Sequence, residues 1–114
     1  MLLIGSVLML TTWFNGAQRQ CVVDTGSSLT LVRSSEGIQF DGPSQELYFS
    51  TANGGLTKAI VAPVKNIGTK NLGWVNGEVV VSSDLAEECI LGSNFLGRQP
   101  IIINWSNGTV LPAR

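Results

Sequence analysis

Histidine is absent from the 114 residues. That gap removes imidazole general bases, Ser-His and Cys-His nucleophilic pairs and the commonest metal ligand, so any chemistry must run on carboxylates or hydroxyls. Cysteine is nearly as scarce. Cys21 and Cys89 are the only two, too few for a disulfide framework and without the C-x-x-C spacing of a metal or redox site. By the usual burial of cysteine, two buried free thiols are expected. Charge is sparse as well, at 13% of residues with a net charge of -1 and no run of Lys or Arg. The electrostatic footprint for nucleic acid or an anionic membrane surface is therefore missing. Long apolar runs are also lacking. The most apolar stretch, Met1 to Leu10, has the character of a signal-peptide core, but no basic residue precedes it and no clear cleavage site follows it. It is too short to span a bilayer. Neither cofactor, metal, nucleic acid nor membrane is expected as a partner.

What is present is apolar residue, 44% of the chain, enough for a packed core and unlike a disordered composition. At this length a second core would be starved, so residues 1–114 are expected to form one domain. Asn104-Trp105-Ser106 and Asn107-Gly108-Thr109 are glycosylation-type sequons that matter only if the chain is secreted.

Beta-branched and aromatic residues come in short runs between Gly, Asn, Pro and Ser, the rhythm of an all-β domain. Val7 to Phe14 and Gln20 to Val23 flank Asn15-Gly16, a dipeptide suited to a two-residue hairpin turn. Leu29 to Val32 reads as a strand, and Arg33 to Gln45 as a polar surface loop. Leu47 to Thr51 and Leu56 to Val64 flank Ala52-Asn53-Gly54-Gly55, which predicts a hairpin with a flexible tip. Asn76-Gly77 predicts another turn between Trp74-Val75 and Glu78 to Val81. Further on, Ser93 is placed to cap a short helix through Leu96, and Ile101 to Trp105 and Thr109 to Leu111 read as strands joined at Asn107-Gly108.

The chemistry concentrates at Asp24, which ends the apolar run Cys21-Val22-Val23 and leads into Thr25-Gly26-Ser27-Ser28. A carboxylate placed there calls for a reason. Asp-Thr-Gly alone is a weak signal, since the same triplet often makes only a turn. The second element is Ile90-Leu91-Gly92-Ser93-Asn94-Phe95-Leu96, well downstream and beyond the glycine-containing hairpin.

Together, these elements in this order resemble the retropepsins, and most closely the proteases of gypsy-type retroelements, from about Val7 to Leu111. The resemblance implies a closed β-barrel with a flap hairpin and one short C-terminal helix, active as a homodimer on an extended peptide or polyprotein. It implies Asp24, Thr25 and Gly26 as catalytic-loop residues, with Thr25 bonding across the dimer and Gly26 admitting substrate backbone. It implies Ser27, Ser28, Ala52, Asn53, Gly54, Gly55 and Ile90 as substrate-binding residues. Ser27 has two readings, a hydrogen bond to the carboxylate or a local turn. In such a fold Cys21 and Cys89, each just ahead of a signature motif, approach one another, which sets a redox-sensitive pair beside the free-thiol reading. Many retroviral relatives carry an acidic residue at the position of Ser28 and an arginine at that of Ser93. Here both are absent, so neither leaves a buried charge unpaired, but the dimer must be braced elsewhere.

Peptide hydrolysis without metal, histidine or covalent nucleophile needs an acid and a base acting on water, which two adjacent carboxylates supply by sharing one proton. Asp41 and Asp84 lack the Thr-Gly context, so the second carboxylate is expected from a second copy of the chain. Two other readings stand beside this one. A domesticated domain can keep the fold only for dimerisation or peptide binding, and a pepsin-like enzyme carries the same Asp-Thr-Gly-Ser-Ser in a longer, two-lobed chain. Residence within the cell or a virus-like particle follows only if the chain is part of a retroelement polyprotein.

Overall fold

The computed structural model describes residues 8–50, 54–98, 100–104, 106–107 and 109–113. In chain order the elements are β1 (Met9–Phe14), β2 (Ala17–Val23), β3 (Leu31–Val32), β4 (Gln45–Ser50), β5 (Leu56–Thr69), β6 (Gly73–Val81), β7 (Cys89–Leu91), α1 (Ser93–Leu96), β8 (Ile101–Asn104) and β9 (Thr109–Pro112). β1 and β2 turn at Asn15-Gly16, whose φ angles of 51° and 93° fit the two-residue turn that this dipeptide favours. Pairing then runs β1-β2-β7-β3-β6-β5, and β5 returns to β1 through Trp13↔Gly68 and Phe14↔Ile67. The result is a closed barrel of mixed strands with one short helix, as the retropepsin-like reading expects.

Closure turns alternate side chains inward. Phe14, Val32, Val64, Val79 and Leu91 are fully buried, and Phe95 and Leu96 bring α1 onto the same core. Each such side chain contributes about 1.5–3 kcal/mol by leaving water. The stretch between β3 and β4 is less of a surface loop than its polarity suggests. Ile38 is buried, Phe40 packs against the core, and the Asp41 amide donates to the Pro63 carbonyl at 2.8 Å.

β4 pairs only with β5 and projects as a hairpin from the barrel's outer edge. β5 and β6 form the longest ladder, and here one expectation fails. Asn76-Gly77 is not a turn: β6 runs straight through it, and the chain reverses after Thr69, with Gly73 at φ 82°. The turn chemistry lies on the opposite strand. The ladder slips between Val64 and Ile67, Asn66 takes φ 55°, and the Asn76 side-chain carbonyl accepts the Asn66 amide at 3.2 Å. An extra residue is absorbed as a bulge rather than as a hairpin end.

The free-thiol expectation fails too. Cys21 and Cys89 form a disulfide with Cα atoms 4.4 Å apart across a sequence separation of 68. Parallel pairing of Val22 with Ile90 sets the preceding cysteines side by side. The chain ends in a separate hairpin, β8 with β9, which buries Val110 but leaves the cross-strand pair Ile102 and Leu111 at 56% and 43% exposure.

Candidate active site

β2 delivers Asp24 at the end of the barrel opposite the Asn15-Gly16 turn, where β2 lies beside β7. Backbone bonds fix the residue. The Val23 amide donates to the Leu8 carbonyl at 2.9 Å, and the Asp24 amide to the Leu91 carbonyl at 3.0 Å. The loop then closes on itself: the Ser27 amide donates to the Asp24 carbonyl at 3.1 Å, and the Gly26 amide to Asp24 Oδ1 at 3.0 Å. A hydrogen bond from a backbone amide fixes the orientation of the carboxylate. Asp24 itself is exposed. A loop that ends at the open mouth of a barrel leaves its first side chain in solvent.

The sequence-nominated neighbours divide clearly. Thr25 is exposed, and among the described residues its hydroxyl has no hydrogen-bond partner. Gly26 is where a Cβ would sit 3.3 Å from Asp24 Oδ1, tight against the carboxylate it orients. Ser27 takes the turn reading, its hydroxyl donating to the Leu29 carbonyl at 2.8 Å. Ser28 and Ser93 are both exposed. Ile90 is half-buried on the side of β7 opposite the buried Cys89 and Leu91, inside the strand seam. Ala52 and Asn53 lie outside the described residues. Gly54, exposed with φ 87°, and Gly55 stand at the projecting hairpin end, followed by Leu56 at 74% exposure.

Sequence reasoning missed the residues that lace the Asp24 loop to the Ile90-Leu91-Gly92 segment. The Ser93 amide donates to the Ser27 carbonyl at 2.7 Å, so Ser93 spends its backbone on the loop. Its expected role as helix cap goes to Gly92, the N-cap of α1, with no side-chain cap bond. Gly92 is required by space. A Cβ there would lie 2.1 Å from the Leu29 carbonyl oxygen and 2.7 Å from that of Ser27. Beneath it, buried Thr30 accepts the Gly92 amide at 3.2 Å and donates to Asn94 Oδ1 at 2.7 Å. No signal in a single sequence pairs Thr30 with Asn94, because the bond exists only after β3 meets β7.

Asp41 sits beside Lys65 at 3.3 Å and Asp84 in the turn after β6, so neither joins Asp24. Among the described residues no group of three or more His, Cys, Asp or Glu is placed to hold a metal ion. A cavity of about 500 Å³ opens next to the loop, from Leu29 across Leu47, Val61 and Val80 to Glu78 and Arg98. Four aliphatic side chains line it together with polar Gln45 and Asn94 and the charged Glu78 and Arg98. At the base of the hairpin, a Lys58–Glu46 ion pair joins β4 to β5. The hydrogen bond that Lys58 donates to the Glu46 carboxylate, aided by that carboxylate's charge, holds the Lys58 ammonium pKa above its ordinary 10.5.

A closed barrel whose Asp-Thr-Gly loop is laced to an Ile-Leu-Gly strand beside a projecting hairpin places the chain in the retropepsin-like class of aspartic protease folds. The family model described as gag-polyprotein putative aspartyl protease matches residues 10–98, which span both motifs, and the chain belongs to that family. No curated protein matches it.

Proposed function

We propose that the chain is one half of an aspartic endopeptidase that cuts a retroelement polyprotein, with Asp24 from each of two copies forming the catalytic pair. The observation that carries this reading is the Asp24 carboxylate, oriented by the Gly26 amide at 3.0 Å yet exposed and, among the described residues, without a second carboxylate beside it. A two-fold axis at the barrel mouth supplies the missing partner from the same sequence. Two carboxylates held together cannot both ionise, and aspartic proteases are the established example of the shared proton that results. The ionised member takes a proton from water as its oxygen attacks the scissile carbonyl, and the protonated member donates to the carbonyl oxygen. Breakdown of the tetrahedral adduct moves a proton to the leaving amine and restores the pair.

The neighbouring residues fit supporting roles. The Thr25 hydroxyl, without a partner among the described residues, suits a bond to the other copy, and Gly26 keeps the carboxylate approachable. Ser27 and Ser28 border the loop, and the hairpin tip, Ala52 to Gly55, suits a cover over an extended peptide. Ile90 acts from the seam. The cavity beneath Leu29 and Leu47 favours an apolar substrate side chain. One observation favours the non-catalytic alternative of a dimerisation or peptide-binding module. With Ser28 and Ser93 both exposed and uncharged, the loop lacks an ion pair to brace the dimer.

Cleavage of a mixed peptide library by wild type and Asp24→Asn, over a range of protein concentrations and from acidic to neutral pH, decides between them. Cleavage is expected to rise more steeply than linearly with concentration and to vanish in Asp24→Asn. Peptide binding without cleavage, unchanged by Asp24→Asn where the dimer is populated, establishes the binding module instead.

A further inference from the structure

The proposed chemistry gives no task to Cys21 or Cys89, although both are at 0% exposure directly below the Asp24 loop. Their disulfide joins β2 to β7 just ahead of a ladder that is only Val22↔Ile90 and Val23↔Leu91 long. The loop's attachments to the Ile90-Leu91-Gly92 side sit just beyond that short ladder. The Asp24 amide reaches Leu91, the Ser93 amide reaches Ser27, and Gly92 packs on the Leu29 carbonyl. The first bond spans β2 and β7 directly, and the other two need β7 to stay seated under the loop. The strands of the barrel's far wall, β5 and β6, are instead held by a long ladder of their own.

We propose that the Cys21–Cys89 disulfide is a redox-controlled lock on the Asp24 loop. Intact, it holds the loop on β7; reduced by a dithiol, it lets the loop detach while the β5–β6 wall stays folded. The exchange balances without another reagent. The dithiol gives up two electrons and two hydrogens and closes its own disulfide, while the protein S–S bond breaks and each sulfur leaves as a thiol. A thiolate must approach a sulfur directly, and here both sulfurs are buried. Opening of the seam therefore precedes exchange, so the reduction rate levels off as dithiol concentration rises.

The competing explanation is an ordinary structural crosslink, which acts by restricting the unfolded chain. The two separate in amide hydrogen exchange. A crosslink acting only on the unfolded chain speeds every globally exchanging amide by one common factor after reduction. The lock speeds Asp24, Gly92 and Ser93 by about tenfold more than the β5–β6 amides, the loss of roughly one hydrogen bond's worth of local stability.

The experiment compares the wild type before and after dithiothreitol, with Cys21→Ala/Cys89→Ala as a control that reductant must not alter. If that double variant does not fold, the wild-type comparison decides alone. Selective acceleration at the loop, with a reduction rate that saturates, is the expected result. A common factor at all amides, no change, complete unfolding on reduction, or two free thiols in protein purified without reductant overturns the proposal. Because the readout is backbone exchange, its failure is distinct from any failure of peptide cleavage.

Discussion

The β5–β6 wall and the seam where β2, β7 and β3 meet are built on different principles. The wall pairs from Ile60↔Val81 to Thr69↔Gly73 and resumes its pairing after the register shift at the Val64–Ile67 bulge. Each join of the seam spans two residue pairs: Val22↔Ile90 and Val23↔Leu91, Leu31↔Ile90 and Val32↔Cys89, Leu31↔Val80 and Val32↔Val81. A long ladder is redundant, since any one bond can be lost while its neighbours hold the strands. The seam has no such redundancy and depends on single devices: a glycine with no room for a Cβ, a buried hydroxyl with two partners and a disulfide. The candidate site therefore sits where the fold is most sensitive to single substitutions.

Glycine substitution on each side breaks the comparison most sharply. Gly92→Ala drives a Cβ into the carbonyls of Leu29 and Ser27, and should cost about 3 kcal/mol or more, the range of severe core strain. Gly77→Ala on β6 meets the end of the Arg98 side chain at 3.4 Å and Ile67 Cδ1 at 3.8 Å, an ordinary contact, and should stay within about 1 kcal/mol. Urea unfolding of both variants checks the contrast, and equal losses would remove it. Next in size is Thr30→Val, which keeps the shape but strips the Gly92 amide and Asn94 of their buried partner. A loss of about 1–3 kcal/mol follows from leaving such groups unsatisfied. The same measurement tests it, with the Ser93 amide resonance expected to shift in the NMR spectrum.

The smallest effect belongs to the projecting hairpin. Lys58 has its pKa raised above 10.5 by Glu46, so its stabilisation is complete below that value and fades as pH rises through the higher folded value. Both side chains are more than half exposed, which keeps the effect small. Melting curves at pH 9 and 12 should differ slightly more for wild type than for Glu46→Gln; equal differences mean that the pair contributes nothing.

How far the sequence could be read follows the same division. Asn15-Gly16 was legible because a two-residue hairpin is decided by local dihedral angles. Asn76-Gly77 carries the same letters but lies opposite the Asn66 bulge, and a partner strand is not visible in a local window. The Asp24-Thr25-Gly26 and Ile90-Leu91-Gly92 segments were legible as words, and the structure brings them together through the Asp24 amide and Leu91 carbonyl. What joins them was not legible. The Thr30–Asn94 bond, the choice of Gly92 over Ser93 as cap and the Cys21–Cys89 pairing all arise from contacts across distant stretches of chain. Composition favoured free thiols for the same reason: burial habits describe single residues, not neighbours in space.

The disulfide also changes what the molecule is as an object. Bridging Cys21 to Cys89 makes the intervening chain a covalent ring with a tail at each end, and the exposed Gly54 and Leu56 lie on that ring. A cut at the hairpin tip, by another protease or by a second copy of this chain, opens the ring but releases no fragment. The nicked protein keeps its mass on a non-reducing gel and separates into two pieces only when a thiol is added.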